Sequence, residues 1–389
     1  MTSELRGPGP AVSLAEATRV WARIGLLSFG GPAGQIALMH RVLVEERGWI
    51  SERQFLHALN FCMLLPGPEA QQLATYVGWQ LHRVRGGLIA GSLFVLPGFL
   101  VILALSYLYV AAGSLPVVQG LFLGLKAAVI AIVLQALVRI ARRSLHGPLP
   151  VVVALAAFLA MYAWQVPFPW VIAVAALAGA LAPRFRPAAD DTAHEDLAAS
   201  AGWRGLVRTV AIFGLAWLLP VAALLATLGP GHVFSTIATF FSKMAVVTFG
   251  GAYAVLAYVS QEAVQTYQWL MPGEMIDGLA MAETTPGPLI MVVQFVGFLA
   301  AYRDPGGLHP GVSGLLGALV TTWVTFAPCF LWIFAGAPYI ERLRNNRWLA
   351  GALAGVTAAV IGVIMNLAAW FATHALFETV VVVERFGAA

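Results

Sequence analysis

The sequence predicts an all-α integral membrane protein made of two inverted-topology repeats, each carrying paired broken or re-entrant helices. Three observations predict it. Of the 389 residues 60% are hydrophobic and 10% charged, with a mean hydropathy of +0.83, more apolar surface than a water-soluble chain can hide. The chain also matches itself at a fixed offset of 220 residues. Phe29-Gly30-Gly31 falls on Phe249-Gly250-Gly251, Trp49 on Trp269, Pro66-Gly67-Pro68 on Pro286-Gly287-Pro288, and Arg83-x-x-Gly86-Gly87 on Arg303-x-x-Gly306-Gly307. After one insertion the offset becomes 231, and Pro97-x-Phe99-Leu100 meets Pro328-x-Phe330-Leu331 while Ala127–Ile130 meets Ala358–Ile361. Finally, what is repeated is mostly Gly and Pro inside apolar segments. Paired helix breaks in two halves of a membrane protein point to a transport site.

The elements follow in order. Residues 1–13 form a polar, Pro-rich tail that reads as no cleavable signal peptide. The first repeat, 14–183, opens with two elements of about thirty residues, roughly 14–44 and 54–82, broken at Phe29-Gly30-Gly31-Pro32 and at Pro66-Gly67-Pro68. Each is long enough for two half-helices of about 12 residues at about 1.5 Å rise per residue. Apolar spans follow at roughly 87–110, 115–138, 149–164 and 168–182. Residues 184–202, with Arg184, Arg186, Asp190, Asp191, Glu195 and Asp196, read as a short cytoplasmic linker. The second repeat, 203–376, has a span at 206–228, broken elements at 232–264 and 272–302, and spans at 312–337 and 348–372; a C-terminal tail covers 377–389.

Charge placement predicts the inversion. Arg41–Arg53 holds three Arg and three Glu, His82-Arg83-x-Arg85 and Arg139–His146 are basic, and the connection Ala111–Pro116 has no charge. In the second half Gln265–Gly273 has no Lys or Arg, while Glu341–Arg347, the counterpart of Ala111–Pro116, has three Arg. Cytoplasmic loops carry the excess of Lys and Arg, so equivalent loops fall on opposite sides, with Arg303 the exception. Five apolar spans between the two Phe-Gly-Gly breaks, an odd number, demand the same.

A helix that stops inside a membrane exposes backbone N–H groups and the positive end of its dipole. Such groups are tolerated only where protein or a hydrated cavity covers them. Pro68 and Pro288 suit the first position of a new half-helix, and Gly67 and Gly287 let the chain turn. The N–H groups of Glu69 to Gln71 and of Leu289 to Met291 are then expected to face the breach and favour an anion. Gly30-Gly31 and Gly250-Gly251 allow close backbone approach. Around the breaks lie Gln35, Glu69, Gln71, Gln72 and Thr75 in the first half, and Glu283, Thr284, Thr285 and Gln294 in the second. The plainer alternative, that Gly and Pro merely kink packed helices, suits one isolated break better than four matched ones. Glu69, in the first turn of a half-helix, equally well complements its dipole. Glu283 precedes its break and has no such role, and a carboxylate beside an anion site makes sense if it couples proton movement to anion movement. Lys126 and Lys243 are candidate positive charges, and Lys126 is the stronger because its span runs on to Arg139.

Other chemistry is not called for. The net charge of +4 comes from basic residues at span ends, as topology requires, so no nucleic-acid partner is expected. Cys62 and Cys329 lie inside apolar segments and make no disulfide framework, the eight His show no ligand spacing, and neither metal nor cofactor is expected.

At these residues the chain resembles the chromate ion transporter family in its long form with two fused homologous halves. The carrying segments are Phe29–Met39, Leu64–Tyr76 and Met281–Val292, within a resemblance spanning about 14–376. It implies a secondary transporter that exports chromate across the bacterial inner membrane and confers chromate resistance, with sulfate as competitor and the lipid bilayer as surroundings; a homodimer is admitted. The chain departs from the family in carrying Gln35 where members often have His, and in lacking second-half counterparts to 149–164 and 168–182. Three rival readings are a sulfate uptake or exchange carrier, a membrane enzyme acting on a phosphorylated lipid, and a passive anion channel, for which duplication with inversion is less diagnostic. The enzyme would need a nucleophile or metal set near the breaks, and no His or Asp cluster stands there.

Overall fold

The computed structural model describes residues 12–113, 115–182, 203–247, 249, 252–339 and 347–377. Among them the chain is helical and has no strand. Helix α1 (Leu14–Leu27) is capped by Ser13, whose Oγ accepts from Glu16 N–H at 3.2 Å, and buries Ala17, Val20, Trp21 and Ile24 at helical spacing. It ends at Gly30 and Gly31, both at positive φ (79° and 69°). α2 (Gly31–His40) runs into a π turn, Arg41–Glu46. α3 (Glu52–Leu64) begins with a capping box between Ser51 and Gln54 and stops before Gly67, where φ is 116°.

α4 (Glu69–Ala112) is two helices in sequence, doubling back at His82 and Arg83, whose backbone is not helical (φ −139° and 52°). The limbs 69–81 and 84–112 pack so closely that a Cβ on Gly86 would strike the Gly78 carbonyl oxygen. In the longer limb Pro97 leaves the Leu93 carbonyl without its helical donor, and Gly25 of α1 packs against that same carbonyl.

α5 (Pro116–Ser144), α6 (Pro148–Tyr162), α7 (Phe168–Leu181) and α8 (Trp203–Leu228) lead to the second half. α5 and α8 leave apolar side chains such as Val117, Leu121, Leu123, Leu215 and Leu219 exposed, the surface a lipid-facing helix presents. α6 and α7 are 15 and 14 residues long, about 22 Å at most, short of a hydrocarbon core of about 30 Å. The expectation that 149–164 and 168–182 each cross the membrane is therefore corrected. Without them three long spans lie between the two Phe-Gly-Gly segments among the described residues, still an odd number, and the place of equivalent turns bears on the same inversion.

The second half repeats α1 to α5 of the first, helix by helix, and leaves α6, α7 and α8 without counterparts among the described residues. α9 (Val233–Val247) matches α1, and α10 (Ala252–Gln261) with its π turn Glu262–Thr266 matches α2. α11 (Pro272–Thr284) matches α3, both bounds being shifted by 220. A 3₁₀ turn, Leu289–Met291, and α12 (Val292–Arg303) follow the second break, and α13 (Pro310–Gly336) doubles back on α12 as α4's limbs do. A Cβ on Gly317 would strike the Gly297 carbonyl oxygen, reproducing the Gly78–Gly86 contact. Even Gly48 and Gln268, 220 apart, share positive φ (59° and 52°). α14 (Arg347–Leu376) matches α5 and lies along α6 and α7, with Gly351 and Gly355 against Gly179, the small-residue packing of membrane helices.

Among the described residues five helices are long and apolar enough to cross a membrane, 69–112, 116–142, 203–228, 310–336 and 348–374. The chain is a multi-pass membrane protein. The longer limb of α4, about 40 Å by its rise, separates two ends of the molecule. At its start, His82 meets the Val12 carbonyl, and Arg47 pairs with Glu16 of α1. At its finish, the Tyr107 hydroxyl donates to the Gly311 carbonyl, and Arg303 reaches Glu274 and the Trp269 carbonyl. The loop 41–51 thus lies at one end and its repeat counterpart, 261–271, at the other. The stretch 183–202, which holds the expected linker, falls outside the described residues, as do the tails 1–11 and 378–389 and most of Glu341–Arg347.

Candidate functional site

The first break is built by Leu65 to Pro68 between α3 and α4. Its glycine is enforced twice: φ is positive, and a Cβ on Gly67 would lie 2.8 Å from Gln72 Nε2 and 3.0 Å from Cys329 Sγ. The Gln72 amide donates to the Pro66 carbonyl at 2.6 Å, so a side chain of the new helix closes the turn. Gln71 donates to Thr75 Oγ1 at 3.1 Å, and both press against Gly91 of the longer limb. Gln71, Gln72 and Thr75 are fully buried. Glu69 is half-buried in the first turn of α4, next to Pro68.

The second break, Thr285 to Pro288, is held differently. The Gly287 N–H donates to the Ser28 carbonyl at 2.9 Å, and Gln35 Nε2 donates to the Gly287 carbonyl at 2.6 Å. One glycine of the second half is therefore bonded on both backbone groups to the α1–α2 break of the first. Glu283, buried just before the break, accepts from the Tyr253 hydroxyl at 2.8 Å, and its other oxygen lies close to Gly31. Thr285 is buried, whereas the exposed Thr284 spends its hydroxyl on the Ala280 carbonyl. Pro286 and Pro288 flank the turn. The N–H groups expected to face a breach after Pro288 belong to Leu289–Met291, which is packed to within 1% of complete burial; Met291 N–H already donates to the Pro288 carbonyl. Gln294 donates to the Phe99 carbonyl of α4 at 2.9 Å.

Each break packs on the long helix of the opposite half. Gly98 of α4 sits on Pro286 and Gly287, and Cys329 of α13, the 231-offset counterpart of Gly98, sits on Gly67. Such reciprocal contacts are what a two-fold relation between halves generates. Along α4 the first break is met at Gly91 and the second at Gly98, about 10 Å apart. The carboxamide oxygens of Gln35, Gln71, Gln72 and Gln294 are all buried with no hydrogen-bond partner in the described residues. Buried polar atoms of this kind ask for water or a ligand.

Of the expected residues, Lys126 is not brought to this place. Gly250 and Gly251 lie outside the described residues. Lys126 stands elsewhere, its ammonium 3.1 Å from Asp277 Oδ1, beside a cavity of about 480 Å³. It supplies no free charge to the breaks. Lys243, the weaker candidate, is exposed. Sequence reasoning also missed partners that the breaks use. Tyr253 and Ser28 carry no distinguishing signal, but Asp277, a carboxylate six residues before Glu283 in an apolar segment, could have been found by the same rule that found Glu283.

Comparison with known proteins identifies the family. A family model described as Chromate transporter matches residues 15–180 and 235–389. A chromate transport protein of Cupriavidus metallidurans is 32% identical over 374 residues, covering 91% of this chain and 82% of that protein. A chromate transport protein of Pseudomonas aeruginosa is 34% identical over 363 residues, covering 91% and 80%. An uncharacterized transporter of Methanocaldococcus jannaschii is 25% identical, covering 90% and 82%. No solved structure matches. The chain belongs to the chromate transporter family, a family of transporters and not of enzymes.

Proposed function

We propose that this member of the chromate transporter family is a secondary transporter that exports chromate from the cytoplasm across the bacterial inner membrane and so confers chromate resistance. The observation that carries the reading is the pair of Pro-Gly-Pro breaks, each seated on the long helix of the other half. An unpaired dianion is prohibitive in a low-dielectric interior, so several donors must act on it together. The first turn of α4, the amides of Gln71 and Gln72, and Thr285 are the donors we assign, with Gly30, Gly31, Gly67 and Gly287 allowing close approach. Glu69 and Glu283 are the carboxylates beside them. Glu283, held by Tyr253, is the group we assign to proton coupling: protonated it tolerates the anion, and ionised it repels it.

The halves 14–183 and 203–376 are proposed as inverted repeats joined by a cytoplasmic linker at 184–202. Supporting this, equivalent turns occupy opposite ends of α4's longer limb, and the end holding Ala111–Pro116 and Gln265–Gly273 is poor in Lys and Arg, as an outer face is. Chromate and sulfate share charge and shape, so sulfate is the expected competitor. Reconstituted into liposomes, the protein should move chromate faster than sulfate and respond to a pH gradient. Equal or faster sulfate movement would make it a sulfate carrier; movement of neither would overturn the reading.

A further inference from the structure

We propose that Asp277, paired with Lys126, is a second proton-binding station, through which protons reach α11 from the face opposite the basic loops. The inference rests on the transport reading above but concerns a different cluster, in a separate cavity. Asp277 is 5% exposed. Its Oδ1 lies 3.1 Å from Lys126 Nζ on α5, and its Oδ2 accepts from the Tyr109 hydroxyl of α4 at 3.1 Å. The cavity beside the pair is lined at its rim by Met271, Pro272 and Gly273, where α11 begins at the molecular end. Water therefore has a route to a carboxylate that is otherwise enclosed.

The charged and titratable groups facing Asp277 are few. Lys126 comes from α5, Tyr109 from α4 and His374 from α14, which lines the same cavity. Glu274, on α11 itself, is held by Arg303 of α12 through both guanidinium ends, at 2.9 and 2.5 Å. With Glu274 and Arg303 cancelling each other, Lys126 and Asp277 form an isolated pair. A buried ion pair is no better for stability than apolar residues of similar volume, whereas breaking one is costly. The pair is also absent from the duplicated scaffold: the positions equivalent to Asp277 and Lys126 are His57 and Thr357. Something other than shared architecture placed it here.

The step balances simply. A hydronium ion in the cavity gives its proton to the Asp277 carboxylate, leaving neutral acid and water. Lys126 then loses its counter-charge and the tie between α5 and α11 is released. Asp277 and Glu283 are six residues apart on one helix, about 9 Å along its axis, and that helix ends at the second break. Protonation at the outer cavity is thus connected by a single rigid element to the coupling carboxylate and to the Gly287 turn.

The test uses the full chain in proteoliposomes with two readouts: chromate exchange at equal pH, and chromate movement driven by a pH gradient. Asp277→Asn should keep exchange within about threefold while losing about tenfold or more of the gradient-driven movement. The double variant Lys126→Met/Asp277→Asn leaves no unpaired charge and should fold and show the same selective loss, and Asp277→Glu should restore the gradient response. Retention of the gradient response by either Asn variant overturns the proposal, as does loss of exchange in both, which would mark a structural role. Wild-type protein that exchanges chromate but ignores the gradient overturns this inference and the coupling role of Glu283, and leaves chromate transport itself standing. Wild-type protein that does not exchange chromate overturns the transport reading instead.

Discussion

The two Pro-Gly-Pro breaks descend from one sequence pattern, and the structure holds them in different ways. After Pro68 a regular helix begins at once, and its first turns carry Glu69, Gln71 and Gln72. After Pro288 comes a buried 3₁₀ turn of Leu, Ile and Met, and the polar residues stand before the break, as Glu283, Thr284 and Thr285. Gly67 touches side-chain ends, Gln72 and Cys329, whereas Gly287 is bonded to backbone and amide groups of the other half and packed on the backbone of Gly98. Duplication supplied two equal sites. Divergence left one break rich in donors and adaptable, and the other pinned and bearing a carboxylate.

That contrast can be broken by substitution. The largest effect is expected from Gly287→Leu. A Cβ there lies 2.8 Å from the Gly98 Cα, which cannot yield, and φ is +100°. Transport should vanish and the yield of folded protein, read by size-exclusion chromatography in detergent, should fall sharply. Gly67→Leu should also abolish transport, with a smaller loss of folded yield: its φ of +116° strains any side chain, but the Gln72 and Cys329 side chains can move aside. Equal yields from the two variants would erase the proposed difference in rigidity, and normal transport by both would reduce the breaks to kinks.

Next in size is Glu283→Gln, expected to bind chromate while losing about tenfold of its response to a pH gradient. A full response would move coupling to Glu69. Gln35→Ala removes one hydrogen bond and leaves the Gly287 carbonyl buried without its donor, a loss of about 1–3 kcal/mol. Thermal unfolding in detergent should register it as a drop of a few degrees, and an unchanged midpoint would show the second break is not pinned from α2. The smallest effect belongs to Cys62→Ala. The thiol is fully buried and packs as a small apolar group, so chromate resistance should stay near wild type. Loss of resistance at normal expression would give the thiol a role in the site.

Much of this was legible because Gly and Pro are read through backbone geometry, which sequence states directly. The breaks at Phe29–Pro32 and Pro66–Pro68, and their copies, mark where α1, α3 and α11 stop. Helix length was less legible. Residues 149–164 and 168–182 are as apolar as any crossing helix, and their helices, Pro148–Tyr162 and Phe168–Leu181, keep those bounds to within two residues; apolarity concealed that neither is long enough to cross alone. Pairing was not legible at all. Lys126 is equally apolar in context whether it faces an anion or Asp277, and only the approach of α5 to α11 decides between them. The hydroxyl of Tyr253 on Glu283 and the Ser28 carbonyl under Gly287 are likewise contacts across the repeat interface, where sequence separation exceeds any local pattern.

The central claim is that the two breaks face each other because the halves are inverted. Full-length protein with Cys62 and Cys329 replaced by Ala, carrying either Arg47→Cys or Gln265→Cys, should be treated with an impermeant thiol reagent in right-side-out and inside-out vesicles. Both positions are exposed, near the two ends of α4's longer limb. The inverted arrangement predicts that position 47 labels only from the cytoplasmic side and position 265 only from the outer side; labelling of both from the same side would contradict it.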